Sequence, residues 1–175
     1  VASSRERCTE PEYDDIDMQR LDCGESALPS RLLLLHGLEG TMQSHYIQGA
    51  LLQARKRGWA ADVLIFRGCK GEVNRTRRMY HSGETTDLDF VIRRLVHENP
   101  EQPLVIAGFS LGGNVMLKWL GEQGSDAPDQ VCAAAAIAVP LELGPGGGRT
   151  AGGSARGSNA RPRRRNASRI RGRAC

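Results

Sequence analysis

No stretch of the sequence reaches the roughly 18 uninterrupted apolar residues that a membrane-spanning helix needs. The first residues are polar and acidic, without an apolar signal core. There is no C-x-x-C pair. Cys8, Cys23, Cys69, Cys132 and Cys175 form an odd, scattered set, which argues against a disulfide framework or a zinc site and sets a cytoplasmic, reducing compartment as the expectation. No Gly-rich loop is followed by a phosphate-binding Lys, and no His, Cys and carboxylate cluster has metal-ligand spacing, so neither cofactor nor metal is expected. His97 is the last histidine and Glu142 the last acid. The chain starts with Val1, not Met, so an upstream part is expected to be missing.

What is present divides sharply. Residues 1–143 carry 15 Lys and Arg against 20 Asp and Glu, a net charge of −5, whereas residues 144–175 carry nine Arg and no acid. In the tail Ile170 is the only large aliphatic residue among eight glycines. Such a segment cannot bury enough surface to offset its chain entropy, so disorder is expected there. The division proposed is an amino-terminal segment 1–30, a folded core 31–143 and a basic tail 144–175.

Inside the core, short apolar runs alternate with helical patterns. Leu32 to Leu35, Val63 to Phe66 and Leu104 to Ala107 are each too brief for a helix and suited to strands buried on both faces. Val131 to Val139 gives a fourth, alanine-rich strand, and Asp15 to Met18 alternates like a half-exposed antiparallel strand. Ser44 is the expected cap of a helix that Gly58 stops, and Ser82 the expected cap of a helix that Asn99-Pro100 ends. Glu84, Asp87 and Asp89 at the start of that second helix, and Arg93, Arg94 and His97 at its end, match the helix dipole. This order predicts an α/β fold with a doubly wound, mostly parallel sheet. Its reactive loops gather at the carboxyl ends of the strands, where His36 to Gly40, Arg67 to Glu72 and Ser110 fall.

Gly108-Phe109-Ser110-Leu111-Gly112 stands between a buried strand and a helix carrying Val115, Met116, Trp119 and Leu120. That is the setting of a nucleophile elbow, in which a tight strand-to-helix turn exposes a serine hydroxyl. A serine nucleophile also needs a base and two oxyanion donors. The backbone N–H groups of Leu111 and of Leu38, in the loop after the first buried strand, are the expected donors. No base is identified. In this arrangement the histidine follows the serine, yet His36, His45, His81 and His97 all precede it. Asp126, Asp129 and Glu142 come too early for the usual acid. His36 reads as a structural residue bonding the loop backbone, His81 as support for the second helix, and Cys69 as packing.

Five motifs together carry a family resemblance. They are Leu32-Leu33-Leu34-Leu35-His36-Gly37-Leu38-Glu39-Gly40; Ser44-His45-Tyr46-Ile47; Phe66-Arg67-Gly68-Cys69 with Gly71-Glu72 and Asn74-Arg75; Tyr80-His81-Ser82-Gly83-Glu84-Thr85 with Asp87-Leu88; and the serine motif continued through Gly113-Asn114-Val115 and Leu117-Lys118-Trp119-Leu120. Over about residues 13–142 the chain resembles the YheT-like and EMB8-like branch of the α/β-hydrolases, AB hydrolase family four. The resemblance implies an α/β-hydrolase fold, Ser110 as nucleophile, and a small lipophilic acyl ester as substrate. It also implies a chain about twice this length, with the triad Asp and His beyond residue 142. The 175 residues therefore look like the amino-terminal half of the fold, inactive for want of its base. An out-of-frame translation of a GC-rich gene would account for residues 144–175. The competing reading is a non-catalytic α/β scaffold with an Arg-rich arm for nucleic acid or another anionic surface. Against it stand the acidic core and the absence of any aromatic residue from the tail.

Overall fold

The computed structural model of the chain describes residues 4–8, 16–21, 30–69 and 79–140. The segment 144–175, for which disorder is expected, lies outside them, as do Gly71-Glu72, Asn74-Arg75 and Glu142. Six strands form one sheet: β1 (Ser4–Cys8), β2 (Ile16–Leu21), β3 (Arg31–Leu35), β4 (Ala60–Ile65), β5 (Leu104–Phe109) and β6 (Val131–Ile137), in the spatial order β1-β2-β4-β3-β5-β6. β4, β3, β5 and β6 run parallel, and β2 pairs antiparallel with β4 and with β1. Three helices connect the parallel strands: α1 (His45–Lys56), α2 (Thr86–Glu98) and α3 (Leu111–Gln123).

The alternation of β3 shows how the sheet is covered. Leu32 and Leu34 face a core built with Ile47, Leu51 and Ala54 of α1. Leu33 and Leu35 face the opposite core, with Leu88, Val91, Ile92 and Leu95 of α2 and Val115, Met116 and Trp119 of α3. The sheet is thus wound on both faces, and each fully buried Leu or Ile contributes about 1.5–3 kcal/mol. From β3 the chain passes by α1 to β4 on one side; from β5 it passes by α3 to β6 on the other. The carboxyl ends of β3 and β5 therefore flank the point where the winding reverses, the usual crevice of such sheets.

Three details depart from the expectations. Ser44 is the N-cap residue of α1, as expected, and its carbonyl accepts the Gln48 N–H, but its Oγ turns away from the helix amides and accepts the Thr41 N–H at 3.1 Å. The residue before α2 is Thr85, not Ser82, and the Thr86 N–H goes to Glu84 Oε1 at 3.0 Å. Asp17, expected on a half-exposed strand, is buried because β1 lies beside it: Arg5 Nη2 and Arg7 Nε donate to its carboxylate at 2.7 and 3.2 Å. Gly58 does end α1, with φ +69° and its N–H on Arg55 O. At the far edge, β6 is exposed from Ala133 to Ile137, and among the described residues no strand pairs with its free side.

Candidate active site

β5 ends at Phe109 and is followed by Ser110, whose φ of 51° and ψ of −116° lie where side-chain-bearing residues rarely go. Conformations of this kind cost on the order of 1–3 kcal/mol and persist only where the surroundings impose them. Here the Ser110 N–H donates to Ile137 O of β6 at 2.9 Å, and Ser110 O accepts from the Asn114 N–H of α3 at 3.2 Å. The flanking glycines are required by close approach. A Cβ at Gly108 would meet Gly112 O at 2.6 Å, and one at Gly112 would meet His36 O at 2.5 Å. Strand, elbow and helix are so tightly nested that only hydrogen fits, as the elbow reading demands.

The loop after β3 lies alongside. A Cβ built on Gly37 would be 3.3 Å from Ser110 Cβ. Residues 37–40 form a β-turn closed by Gly40 N–H on Gly37 O at 3.0 Å, with φ +53° at Glu39. Positive φ at the third turn position alone is the type II pattern. His36 is fully buried. Its Nε2 accepts the Phe66 N–H at 3.1 Å, which leaves the proton on Nδ1, 2.7 Å from Gly37 O. Burial pushes the His36 pKa below its ordinary value against the opposing pull of the Gly37 carbonyl, so the ring is neutral and structural, in the role read from the sequence.

The amides of the turn are almost all engaged. Gly37 N–H donates to Tyr46 Oη at 3.1 Å, Glu39 N–H to Tyr80 Oη at 3.0 Å, and Gly40 N–H to Gly37 O. Among the described residues Leu38 N–H alone of these four has no protein acceptor. Leu111 N–H opens α3, so it also lacks an intrahelical acceptor and sits at the positive end of the helix dipole. The two expected donors are therefore both N–H groups without a protein acceptor, Leu111 next to the serine and Leu38 next to Gly37, which lies against it.

Beneath the site, Arg67 and Asp87 form a buried two-point ion pair, Nε–Oδ2 and Nη2–Oδ1 both 2.7 Å. This pair fastens the loop after β4 to the first turn of α2. By pattern Asp87 only complements the helix dipole; the sign that it binds elsewhere is a charge with no partner near it in the chain. Tyr46 and Tyr80 stand in the motifs above with no role legible from sequence, and their hydroxyls accept the Gly37 and Glu39 N–H groups of the turn.

Among the described residues no hydrogen bond involves Ser110 Oγ, so none joins it to a His, Asp or Glu. His97 lies in the last turn of α2, at the opposite end of the sheet. Asp126 and Asp129 follow the 13 residues of α3, about 20 Å of helix away from Ser110. His81 is exposed and uses Nδ1 to accept the Gly83 N–H at 3.1 Å. Cys69, half-buried, carries a thiol that packs against both cores. The described residues contain no group of three His, Cys, Asp or Glu that would hold a metal ion, and no helix long and apolar enough to cross a membrane.

The family described as serine aminopeptidase, S33, matches residues 56–161. Over 113 residues the chain is 45% identical to a protein of Escherichia coli (strain K12) provisionally named esterase YheT, an overlap of 65% of this chain and 33% of that one. It is 37% identical over 108 residues to phospholipase ABHD3 of Homo sapiens, covering 62% of this chain and 26% of that one. Among solved structures, the esterase Pf2001 of Pyrococcus furiosus shares the fold, with a TM-score of 0.63 at 19% identity over 81% of this chain and 53% of that chain. The matched region spans a third or less of these curated relatives and about half of the solved structure.

Proposed function

The chain belongs to the serine aminopeptidase S33 family of α/β-hydrolases, and from that premise we propose that it carries the nucleophile half of a serine hydrolase for carboxylic esters of lipophilic acyl groups. Ser110 is the nucleophile, and the N–H groups of Leu38 and Leu111 form the oxyanion hole. The observation that carries this reading is the pairing of a serine at φ 51° with a neighbouring turn in which only the Leu38 N–H is left unspent. An ester substrate is favoured over a peptide by the names of the relatives, an esterase and a phospholipase.

In the reaction, Ser110 Oγ adds to the ester carbonyl while its proton passes to a base. The carbonyl oxygen becomes an oxyanion between the two amides, and collapse expels the alcohol to leave an acyl-serine that water hydrolyses. One oxyanion donor is worth about 10²–10³ in rate. The described residues supply the nucleophile and the donors, and among them no His, Asp or Glu is hydrogen-bonded to Ser110 Oγ. Turnover by this chain is therefore slow, because a triad enzyme lacking a member keeps only a residual ~10³–10⁴-fold advantage over water. The compartment that fits is the cytoplasm.

Reaction with a fluorophosphonate tests the assignment. Intact-mass spectrometry should find one adduct, mapped to Ser110 and lost in Ser110→Ala. An adduct at another residue, or none, would refute it.

A further inference from the structure

Oxyanion donors work only if their direction is fixed before the charge develops. The 37–40 turn has two reasons to be loose: it lies at the surface, and its third position holds Glu39 where glycine is preferred. Rotation of the Leu38–Glu39 peptide plane would interchange type II and type I geometry and relieve the positive φ. The Glu39 N–H belongs to that peptide and is held by Tyr80 Oη at 3.0 Å. On the other side, the Gly37 N–H is held by Tyr46 Oη at 3.1 Å. The peptide that bears Leu38 N–H thus lies between two pinned neighbours.

Both phenols are themselves fixed. The Tyr80 ring stacks on Phe66 with centroids 5.3 Å apart and planes 2° from parallel. Phe66 in turn meets the His36 ring edge-on at 4.8 Å. The Tyr46 ring packs on Phe109, the residue before the serine, at 4.7 Å. Room for the Tyr46 hydroxyl is made by Gly40, where a Cβ would stand 2.6 Å from it. The two tyrosines come from different elements, the first turn of α1 and the segment before α2, so the turn is gripped from both flanks.

We propose that Tyr46 and Tyr80 are positioning residues: by occupying the Gly37 and Glu39 amides they hold the loop in the one geometry that presents Leu38 N–H to an oxyanion on Ser110. This rests on the serine hydrolase reading above. Neither hydroxyl is assigned contact with substrate.

The experiment compares wild type with Tyr46→Phe and Tyr80→Phe, which keep the rings and remove only the hydroxyls. Fluorophosphonate labelling of Ser110 is resolved into KI and kinact, and residue-resolved amide exchange is followed by NMR. Each variant should label with unchanged KI and about fivefold lower kinact, with faster exchange at Gly37 in the first and Glu39 in the second, as loss of a hydrogen bond worth about 1 kcal/mol implies. A general loss of packing would lower the melting temperature without this split. Unchanged kinact in both variants would overturn the clamp, whether or not exchange quickens. A wild-type chain never labelled at Ser110 would instead remove the hydrolase reading, and the positioning role with it, before either variant is needed.

Discussion

His36 Nε2 lies 3.1 Å from the Phe66 nitrogen and accepts its N–H, tying the loop after β3 to the end of β4 through a ring with no exposed surface. Such an acceptor works only while the imidazole is neutral. Burial lowers the His36 pKa in the folded chain below the ordinary 6.5, so between the two values the unfolded chain binds the extra proton. Stability is then fully present above about pH 6.5 and is lost as pH falls toward the folded pKa, at up to about 1.4 kcal/mol per pH unit. Urea titrations at pH 7, 6 and 5 should show that loss, and His36→Gln should flatten it. An equal slope in the variant would assign the pH dependence to other groups.

The ion pair of Arg67 with Asp87 makes a different prediction. Removing one partner of a buried pair leaves the other charge in the interior, which costs about 3–5 kcal/mol. Asp87→Asn should therefore destabilise strongly in chemical denaturation. Arg67→Met with Asp87→Leu should recover much of the loss, since apolar replacement of both partners is often near neutral. A double variant as unstable as the two single losses added together would show that the pair acts through something other than its mutual charge.

Glu39 stands at φ +53° in the third position of its turn. The left-handed region costs a residue with a Cβ about 1–2 kcal/mol, part of which glycine returns to unfolded-chain entropy. Glu39→Gly is expected to add about 0.5–1 kcal/mol of stability, read as a raised unfolding midpoint, because the same backbone loses its penalty. A lowered midpoint would mean that the Glu39 side chain contributes more than its backbone costs.

These residues also mark how far the sequence could be read. β3, β4 and β5 were legible because a strand covered on both faces is apolar at most positions, as Leu32 to Leu35 is at four in a row; the buried pair of Arg31 in β3 with Asp62 in β4 is the exception that such a run does not announce. The elbow was legible because Gly108 and Gly112 leave a spacing that only close backbone approach explains. β1 was not: Ser4–Cys8 is polar, and what places it is the pairing of Arg5 and Arg7 with Asp17, a relation of charge across 10–12 residues and not of periodicity. Ser44 holds the N-cap position its pattern predicts, with its oxygen drawn to the Thr41 amide, whereas the cap of α2 falls on Thr85 and not on Ser82, because a polar residue beside a helix start has several nearby turn amides competing for its oxygen. The tyrosine contacts span 9 and 41 residues, and local pattern carries no trace of them.

Among the described residues no strand pairs with the outer edge of β6 along Ala133 to Ile137, all exposed. Unpaired apolar edges template association, so the chain should self-associate as its concentration rises. Ala135→Lys, at an exposed mid-strand position, should shift light-scattering mass toward the monomer while leaving the circular dichroism unchanged. A wild-type chain that stays monomeric throughout would show that the edge is protected.

If a missing proton acceptor is what limits Ser110, then an acceptor supplied from solution should raise its rate. Imidazole is small enough to approach a serine whose residue is only half-buried, and its conjugate acid has a pKa near that of histidine, close to the value at which general-base catalysis is most effective. With a p-nitrophenyl acyl ester, wild-type turnover should climb with imidazole concentration, above the background set by Ser110→Ala under the same conditions. The subtraction matters because imidazole attacks such esters unaided. The increment should follow the unprotonated fraction of imidazole, rising with pH through about 7, and should fall in Tyr46→Phe if the oxyanion donor is misplaced there. Equal slopes for wild type and Ser110→Ala would mean that the strained hydroxyl gains nothing from a base, and the elbow would then have to be read as a feature of the backbone alone.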